Sequence, residues 1–241
     1  NAAANKAGLS KALDATLRQA HDMRTFGLGT ASSLASRERY LRFTTSMHHV
    51  YDTMEQELDA SVSPPVQAVW RPFGDDLRRA PNLAADLDDA AADGTPPKHT
   101  ASPMTAEYMR TIREAAASDN SDGGGRLLGH LYCRYFADLF GGQALGTPTK
   151  LALGLRSSPS HYDFSALIAR YGGHRRDAIE SIYEHLNAAG DMLDEAQRTR
   201  VVDETRIAFA KNVGVYAEEG RLWTDGARGI SNVLVGWARN R

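Results

Sequence analysis

The 241-residue sequence lacks several features that would direct its interpretation, and each absence excludes a class of protein. Cys133 is the only cysteine, so neither a disulfide framework nor a Cys-x-x-Cys metal site can form within the chain. No run of eighteen apolar residues occurs, so the sequence predicts no membrane-spanning helix. The formal net charge of −2 argues against general nucleic-acid binding. The hydrophobic share of 42% still indicates an ordinary globular core.

Signatures of common enzyme classes are also missing. There is no glycine-rich nucleotide-binding motif after a strand, no Gly-x-Ser-x-Gly elbow and no His-Glu-x-x-His zinc motif. The paired Glu-x-x-His motifs of a di-iron bundle are absent as well, which argues against a di-iron oxidase. A thiol enzyme that uses Cys133 is a weaker alternative, because no base lies near this residue in the sequence.

Helical periodicity is what the sequence does contain. Apolar residues recur every three to four positions through most of the chain, and alternation typical of strands is not evident. We therefore predict an all-α protein, with one helical domain over residues 1–217. A helical tail over residues 218–241 is expected to pack on this domain or to contact a partner. Gly27 and Gly29 are expected to break the chain, and residues 118–125 to form a polar loop.

The most informative segment covers residues 128–145. Its apolar residues predict a helix, yet Gly141 and Gly142 interrupt the pattern at a cost of about 1 kcal/mol each relative to alanine. One interpretation is a bent helix whose backbone approaches a ligand closely, and the other is a helix end followed by a turn. Arg134 and Asp138, four residues apart, place a charged pair on one face of this helix.

His21 stands at the end of the first predicted helix. Taken alone, it is more simply a capping or core-edge residue than a metal ligand. The absence of other metal-binding motifs makes the metal-ligand interpretation of His21 more favourable. A helix-end histidine, a glycine-broken helix with an internal carboxylate, and tyrosines on several helices suit a haem, which needs one axial histidine and a flat slot between two helices.

Four motifs, in the right order, resemble those of the haem oxygenase family, and the similarity extends from about residue 9 to residue 216. They are Leu9-Ser10-Lys11-Ala12-Leu13 with His21 downstream, similar to the proximal helix; Tyr51; Tyr132-x-Arg134-Tyr135-x-x-Asp138-x-x-Gly141-Gly142-Gln143, similar to the distal-helix signature; and Phe209-Ala210-Lys211-Asn212.

This resemblance implies the haem oxygenase fold, in which haem b lies between a proximal helix and a glycine-kinked distal helix. Haem would be both substrate and cofactor, with His21 as the iron ligand, and the products would be biliverdin, CO and Fe²⁺. The resemblance also implies two groups of site residues. The catalytic group, which would organise proton delivery through ordered water, is Asp138, Arg134, Tyr51 and Asn212. The haem-binding group is His21, Arg18, Tyr132, Gly141, Gly142 and Phe209.

Two features resemble the plant and algal branch of the family. One is Tyr40-Leu41-x-Phe43 followed by Tyr51-Asp52-Thr53-Met54-Glu55-Gln56, and the other is Tyr135-Phe136-Ala137, with Ala137 where animal and many bacterial members carry glycine. The spacing from Leu186-Asn187 to Phe209 also fits that branch. That branch is located in plastids and receives electrons from ferredoxin, so both are predicted here, together with a monomeric state. Two departures concern the haem propionates and the distal helix. The stretch around Tyr183 lacks the expected basic residues, which leaves Arg175 or Arg176 as substitutes, and Phe140 replaces a small residue. A non-catalytic haem carrier on the same fold is the alternative function.

Overall fold

The computed structural model describes residues 3–20, 23–91 and 100–240, and His21 lies outside these ranges. Within them the chain forms twelve α-helices and no β-strand, which confirms the all-α prediction. Across the same residues, no helix combines the length and the apolar character that crossing a membrane requires. The helices are α1 (Gly8–Ala20), α2 (Met23–Ser33), α3 (Arg37–Ala60), α4 (Pro64–Leu77), α5 (Ala80–Ala90), α6 (Pro103–Asp122), α7 (Arg126–Phe140), α8 (Gly146–Leu153), α9 (Ser165–Arg170), α10 (Arg175–Asp191), α11 (Glu195–Ala217) and α12 (Leu222–Arg239).

Helix α7 occupies the centre of the bundle. It contacts α1, α3, α4, α6 and α11, and most of its side chains are buried. Its first turn is capped by the buried carboxylate of Asp119, which accepts hydrogen bonds from the backbone N–H groups of Arg126 (2.8 Å) and Leu127 (2.9 Å). Asp119 belongs to the last turn of α6, which continues to Asp122. The predicted loop over residues 118–125 is therefore wrong in its first half, and only residues 123–125 are non-helical.

The predicted chain break at Gly27 and Gly29 is also wrong, since α2 runs through both glycines. A Cβ atom at Gly29 would lie 2.6 Å from Cδ1 of Tyr216 on α11. Glycine is needed here so that an aromatic ring can pack directly against the helix backbone, and not because the helix ends. Sequence periodicity cannot distinguish these two reasons for a glycine.

The C-terminal helix α12 packs against α2 and α8 along a line of glycines. A Cβ atom at Gly229 would overlap the carbonyl oxygen of Ala31, and one at Gly236 would overlap the carbonyl oxygen of Leu151. Asn232 fixes the register, because its Nδ2 donates to the carbonyl of Leu34 at 2.9 Å. The division into a domain and a separate tail stays a prediction.

Replacing Gly229 with leucine should destabilise the protein by about 1–3 kcal/mol, because a backbone carbonyl cannot move aside as a flexible side chain can. Urea unfolding of the purified variant measures this loss. Ala227→Leu is the matched control, since Ala227 lies on the same helix with its side chain exposed to solvent. Equal midpoints for the two variants would contradict a close contact between α12 and α2.

Candidate functional site

Three helices bring the four predicted catalytic residues together. Tyr51 on α3 donates its hydroxyl hydrogen to Oδ2 of Asp138 on α7. Arg134, one turn before Asp138, donates from Nη1 to Oδ1 of Asn212 on α11 at 3.0 Å. Its Nη2 lies 3.6 Å from Oδ1 of Asp138. None of the four residues is more than 8% exposed, so they form one buried polar cluster.

The electrostatics of this cluster fix which atoms donate and which accept. Burial raises the pKa of Tyr51 well above its ordinary value, so the hydroxyl stays protonated and remains a donor. Burial disfavours the charged form of Arg134, but the neighbouring carboxylate of Asp138 favours it, and the pKa of Arg134 stays high. The guanidinium carbon is 5.1 Å from the centroid of the Tyr51 ring. A permanent cation therefore balances the carboxylate inside the bundle.

A slot with a volume of about 330 Å³ lies between α1, the second half of α7, and α11. We call it the haem slot candidate, or simply the slot. Arg18, Tyr132, Gly141 and Phe209 from the predicted haem-binding group line it, whereas Gly142 does not. Among the described residues, its lining is Asp14, Leu17, Arg18, Tyr132, Cys133, Phe136, Ala137, Phe140, Gly141, Phe209 and Asn212. The predicted iron ligand, His21, follows this stretch of α1 but lies outside the described residues.

A wide surface opening, which we call the mouth, adjoins the slot and shares Asp14, Arg18 and Phe140 with it. Arg176 lines the mouth as well. Arg18 is largely exposed and pairs with Asp14 at 2.7 Å. Arg175, one of the two predicted substitutes, also lines this mouth, and its Nη2 donates to the carbonyl oxygens of Leu139 and Phe140 at the end of α7. It thus caps the distal helix. Arg18 and Arg176 are the exposed cations at this opening for the carboxylates of a ligand.

A second cavity, also of about 330 Å³, lies on another side of α7, and we call it the distal cavity. Ala137 and Gly141 line both spaces, so the end of α7 forms a thin wall between the slot and the distal cavity. In the part of the chain that the structure describes, the lining is Gly27, Thr30, Ala31, Leu34, Phe43, Met47, Tyr51, Leu83, Arg134, Ala137, Asp138, Gly141, Gly142, Leu145, His161, Tyr162 and Tyr216.

The two glycines of the pair have different surroundings. Gly141 caps α7, with its N–H donating to the carbonyl of Ala137 at 2.8 Å, and it borders both cavities. A Cβ atom at Gly142 would instead lie 2.8 Å from Cδ1 of Tyr162, so this glycine accommodates an aromatic ring. Both interpretations left open by the sequence are therefore partly correct. The helix does end here, and bare backbone does border the slot.

Alanine at each glycine should separate these two roles. Gly142→Ala should lower the free energy of unfolding by about 1–3 kcal/mol, because the added methyl group meets the Tyr162 ring. Gly141→Ala should change stability by less than about 1 kcal/mol, since its backbone angles suit any residue, but should weaken haem binding by narrowing the slot. Urea unfolding and hemin titration of both variants measure the two effects. A stability loss in Gly141→Ala together with weaker haem binding in Gly142→Ala would contradict the roles assigned to the two glycines.

Several lining residues were not predicted from the sequence. His161 and Tyr162 reach the distal cavity from a short connection between α8 and α9, and Tyr216 reaches it from the last turn of α11. No motif marks the first two, because their position depends on how that connection folds back over α7. The sequence indicates these two residues as site candidates only through the adjacent pair His161-Tyr162 in a segment without helical periodicity.

The geometry disfavours the two other enzyme classes. Cys133 faces the slot, but burial raises the pKa of its thiol to about 12, so little thiolate forms near neutral pH. Among the described residues, no three His, Cys, Asp or Glu side chains cluster in a way that could hold a metal ion. A di-iron centre thus has no ligand set in this part of the chain.

Comparison with known proteins gives a consistent result. The family model described as "Heme oxygenase" matches residues 7–218. Heme oxygenase 1 from Nostoc sp. is 27% identical over 198 residues, which cover 78% of this chain and 75% of that protein. Heme oxygenase 1 from Homo sapiens is 26% identical over 228 residues, which cover 90% of this chain and 73% of that protein.

Solved structures with the same fold include heme oxygenase-1 from the cyanobacterium Synechocystis in complex with heme. It has a TM-score of 0.72 at 24% identity, covering 95% of this chain and 100% of that one. Heme oxygenase 2 from Chlamydomonas reinhardtii, solved without heme, has a TM-score of 0.71 at 18% identity, covering 87% of this chain and 96% of that one.

Proposed function

The chain belongs to the haem oxygenase family of haem-degrading enzymes, and we propose that it converts haem to biliverdin, CO and Fe²⁺ with O₂ and an electron donor. The observation that carries this proposal is the buried cluster of Tyr51, Arg134, Asp138 and Asn212 beside an apolar slot. Proton-handling groups next to a site for a flat, apolar ligand are what haem opening requires of a protein.

The residues of the slot fit a haem. Leu17, Phe136 and Phe209 supply apolar surface, and the exposed cations Arg18 and Arg176 at the mouth suit the two propionates. Phe140 at the mouth is 48% exposed, although it is a large apolar side chain, and a bound macrocycle would cover it. Tyr132, buried beside the slot with its ring stacked on Phe136, supports one wall.

We propose His21 as the iron ligand because of its place in the sequence. It follows Leu17 by four residues in the sequence, and Leu17 lines the slot. When bound, the haem supplies the iron centre at which O₂ is activated. His21 would hold the iron as a neutral imidazole, and Ala137 and Gly141 would border the bound haem as lining residues of the slot.

The chain's own contribution is the control of protons and water. Oδ2 of Asp138 accepts the hydroxyl hydrogen of Tyr51, and Arg134 holds the same carboxylate from its other oxygen. We propose that Asp138, fixed in this way, holds ordered water in the distal cavity and passes protons through it toward the haem. Asn212 keeps Arg134 in place and also lines the slot.

A haem carrier on the same fold is the second candidate, and the same cluster argues against it. A carrier needs the slot but gains nothing from a charged pair buried beside it. Burying Arg134 and Asp138 costs several kcal/mol of desolvation per ion, and such pairs rarely repay this cost as stability. The pair is better explained by proton delivery during turnover.

The finer assignments also belong to this proposal. We propose ferredoxin as the electron donor and a plastid location, on the strength of Tyr40-Leu41-x-Phe43 and Ala137. Ala137 lines both the slot and the distal cavity, so this residue, typical of the plant and algal branch, lies next to the proposed site of the reaction. The predicted monomer can be checked by sedimentation velocity.

The test is reconstitution of turnover. Protein loaded with hemin is mixed with NADPH, ferredoxin–NADP reductase and ferredoxin, and the visible spectrum is followed for loss of the Soret band and growth of biliverdin absorbance. Omission of ferredoxin is the control, and NADPH–cytochrome P450 reductase in its place tests the donor. Recovery of intact haem with every donor would overturn the enzyme proposal in favour of a carrier.

A further inference from the structure

The distal cavity contains a histidine that the proposed function does not use. His161 lies in the short 3-10 helix Ser160–Tyr162, and its side chain lines the cavity although only 7% of the residue is exposed. Tyr51 and Asp138, the proton-delivery residues of the proposed function, line the same cavity. A histidine and a carboxylate thus line the same cavity.

Asp86 on α5 fixes the orientation of this imidazole. Nδ1 of His161 lies 2.6 Å from Oδ2 of Asp86, and the backbone N–H of His161 donates to the same oxygen at 3.0 Å. The other oxygen, Oδ1, accepts hydrogen bonds from the backbone N–H (2.6 Å) and the hydroxyl (2.9 Å) of Ser160. Because both side chains are buried and these four hydrogen bonds hold the carboxylate, the orientation of the imidazole is fixed.

The network also assigns the two ring nitrogens. Burial alone would raise the pKa of Asp86, but the hydrogen bonds from His161 and from the backbone of Ser160 outweigh it and lower the pKa below its ordinary value. The carboxylate is therefore an acceptor near neutral pH, and Nδ1 of His161 is assigned the proton. No described residue is a hydrogen-bond partner of Nε2, so this nitrogen is the one available to cavity water.

The cavity has room for a water chain between the two ends. Its volume of about 330 Å³ corresponds to roughly ten water molecules at about 30 Å³ each. Most of its lining is apolar, and the polar side chains at which water could be ordered include those of Tyr51, Arg134, Asp138 and Tyr162, together with His161. The charged or titratable groups around His161 and the cavity are Asp86, Arg79 (which donates to the His161 carbonyl), Tyr162, Tyr51, Arg134, Asp138 and Tyr216.

Tyr162 connects the histidine to the end of α7. Its ring centroid is 3.8 Å from that of His161, and the same ring occupies the space in which a Gly142 side chain would lie. The position of the imidazole is thus tied to the glycine pair and, through it, to Asp138 one turn earlier. We therefore expect a displacement of His161 to displace Tyr162 and the end of α7 that borders the slot.

We propose that His161, oriented by Asp86, is a positioning residue that holds one end of a water chain across the distal cavity and replaces the protons that Asp138 passes on. In each cycle Nε2 accepts a proton from water that exchanges with bulk solvent, and the imidazole then releases that proton through the cavity water toward Asp138. Asp86 holds the imidazole in one orientation, as a carboxylate does for the histidine of other acid–base pairs. This inference rests on the proposed function.

The test compares His161→Phe and Asp86→Asn with wild-type protein, all loaded with hemin. His174→Gln is the matched control, because this histidine is exposed at the start of α10. The first readout is the pH midpoint of the visible spectrum of the ferric complex, recorded without any turnover. We expect it to move by about half a pH unit or more in both variants, and downward in Asp86→Asn, because a negative charge is removed. His174→Gln should leave it unchanged.

The second readout is single-turnover biliverdin formation across pH. With hemin affinity within about twofold of wild type, His161→Phe should be slowed about tenfold or more, with a changed pH profile. If His161→Phe does not fold, His161→Gln keeps a polar side chain and replaces it in both experiments. Unchanged spectral midpoints and rates in folded variants would overturn the inference. Shifted midpoints in a protein that never forms biliverdin would support the water chain and overturn the proposed function instead.

Discussion

Replacing Asp138 with alanine should lower the rate of biliverdin formation by about 100-fold or more and leave haem affinity within a few-fold of wild type. The carboxylate lies in the cluster beside the slot and not among the slot-lining residues, so its loss leaves the apolar haem contacts in place. What is lost is a positioned proton-transfer group, and such groups contribute about 10²–10⁴ in rate. Hemin titration and single-turnover spectroscopy measure the two quantities separately.

Two further variants distinguish proton delivery from simple loss of structure. Asp138→Asn keeps the size of the side chain and removes its charge, so it should be nearly as slow as Asp138→Ala. Tyr51→Phe removes only the hydroxyl that Asp138 accepts, so we expect an intermediate effect of about tenfold. Combining Tyr51→Phe with Asp138→Ala should cost little more than Asp138→Ala alone, because the two groups act as one unit. Full additivity would contradict a shared network.

Replacing His21 with alanine should have the second large effect, on haem binding itself. Loss of a partner that merely orients a metal ligand costs about 10–100-fold in metal affinity, so loss of the ligand should exceed about 100-fold. The Soret band of the complex should also shift, because the axial ligand sets the electronic state of the iron. Hemin titration followed by absorbance measures both. Added imidazole should restore part of the wild-type spectrum by occupying the vacated position.

The control for this experiment is His48→Ala on α3. His48 is half-buried, and burial lowers its pKa, so it resembles a histidine that could bind metal in its neutral form, yet it does not line the slot. Its replacement should leave the Soret band and hemin affinity unchanged. A normal spectrum for His21→Ala with an altered one for His48→Ala would contradict the ligand assignment.

Local rules account for much of the fold. Ser36, Ser102 and Asp194 precede α3, α6 and α11 and accept hydrogen bonds from the backbone of the first turn, as their residue types predict. Apolar spacing predicts the helical segments themselves because each helix must bury one face. The same reasoning fails at Gly29 and Gly142, since these glycines serve Tyr216 and Tyr162, which come from distant parts of the chain.

The sequence by itself determined the helical class, the order of the motifs and the residue types of the buried cluster, because capping, periodicity and motif spacing are properties of short segments. Only the tertiary structure decided that Tyr51, Arg134, Asp138 and Asn212 meet in one hydrogen-bonded group. It also decided that Gly141 borders both cavities, whereas Gly142 packs against the ring of Tyr162. In the same way, only the tertiary structure shows that Arg175 caps α7 and that Asp86 orients His161 at the distal cavity. The physical reason is the same in each case. Which side chain fills the space next to a residue depends on contacts between segments that lie far apart in the chain.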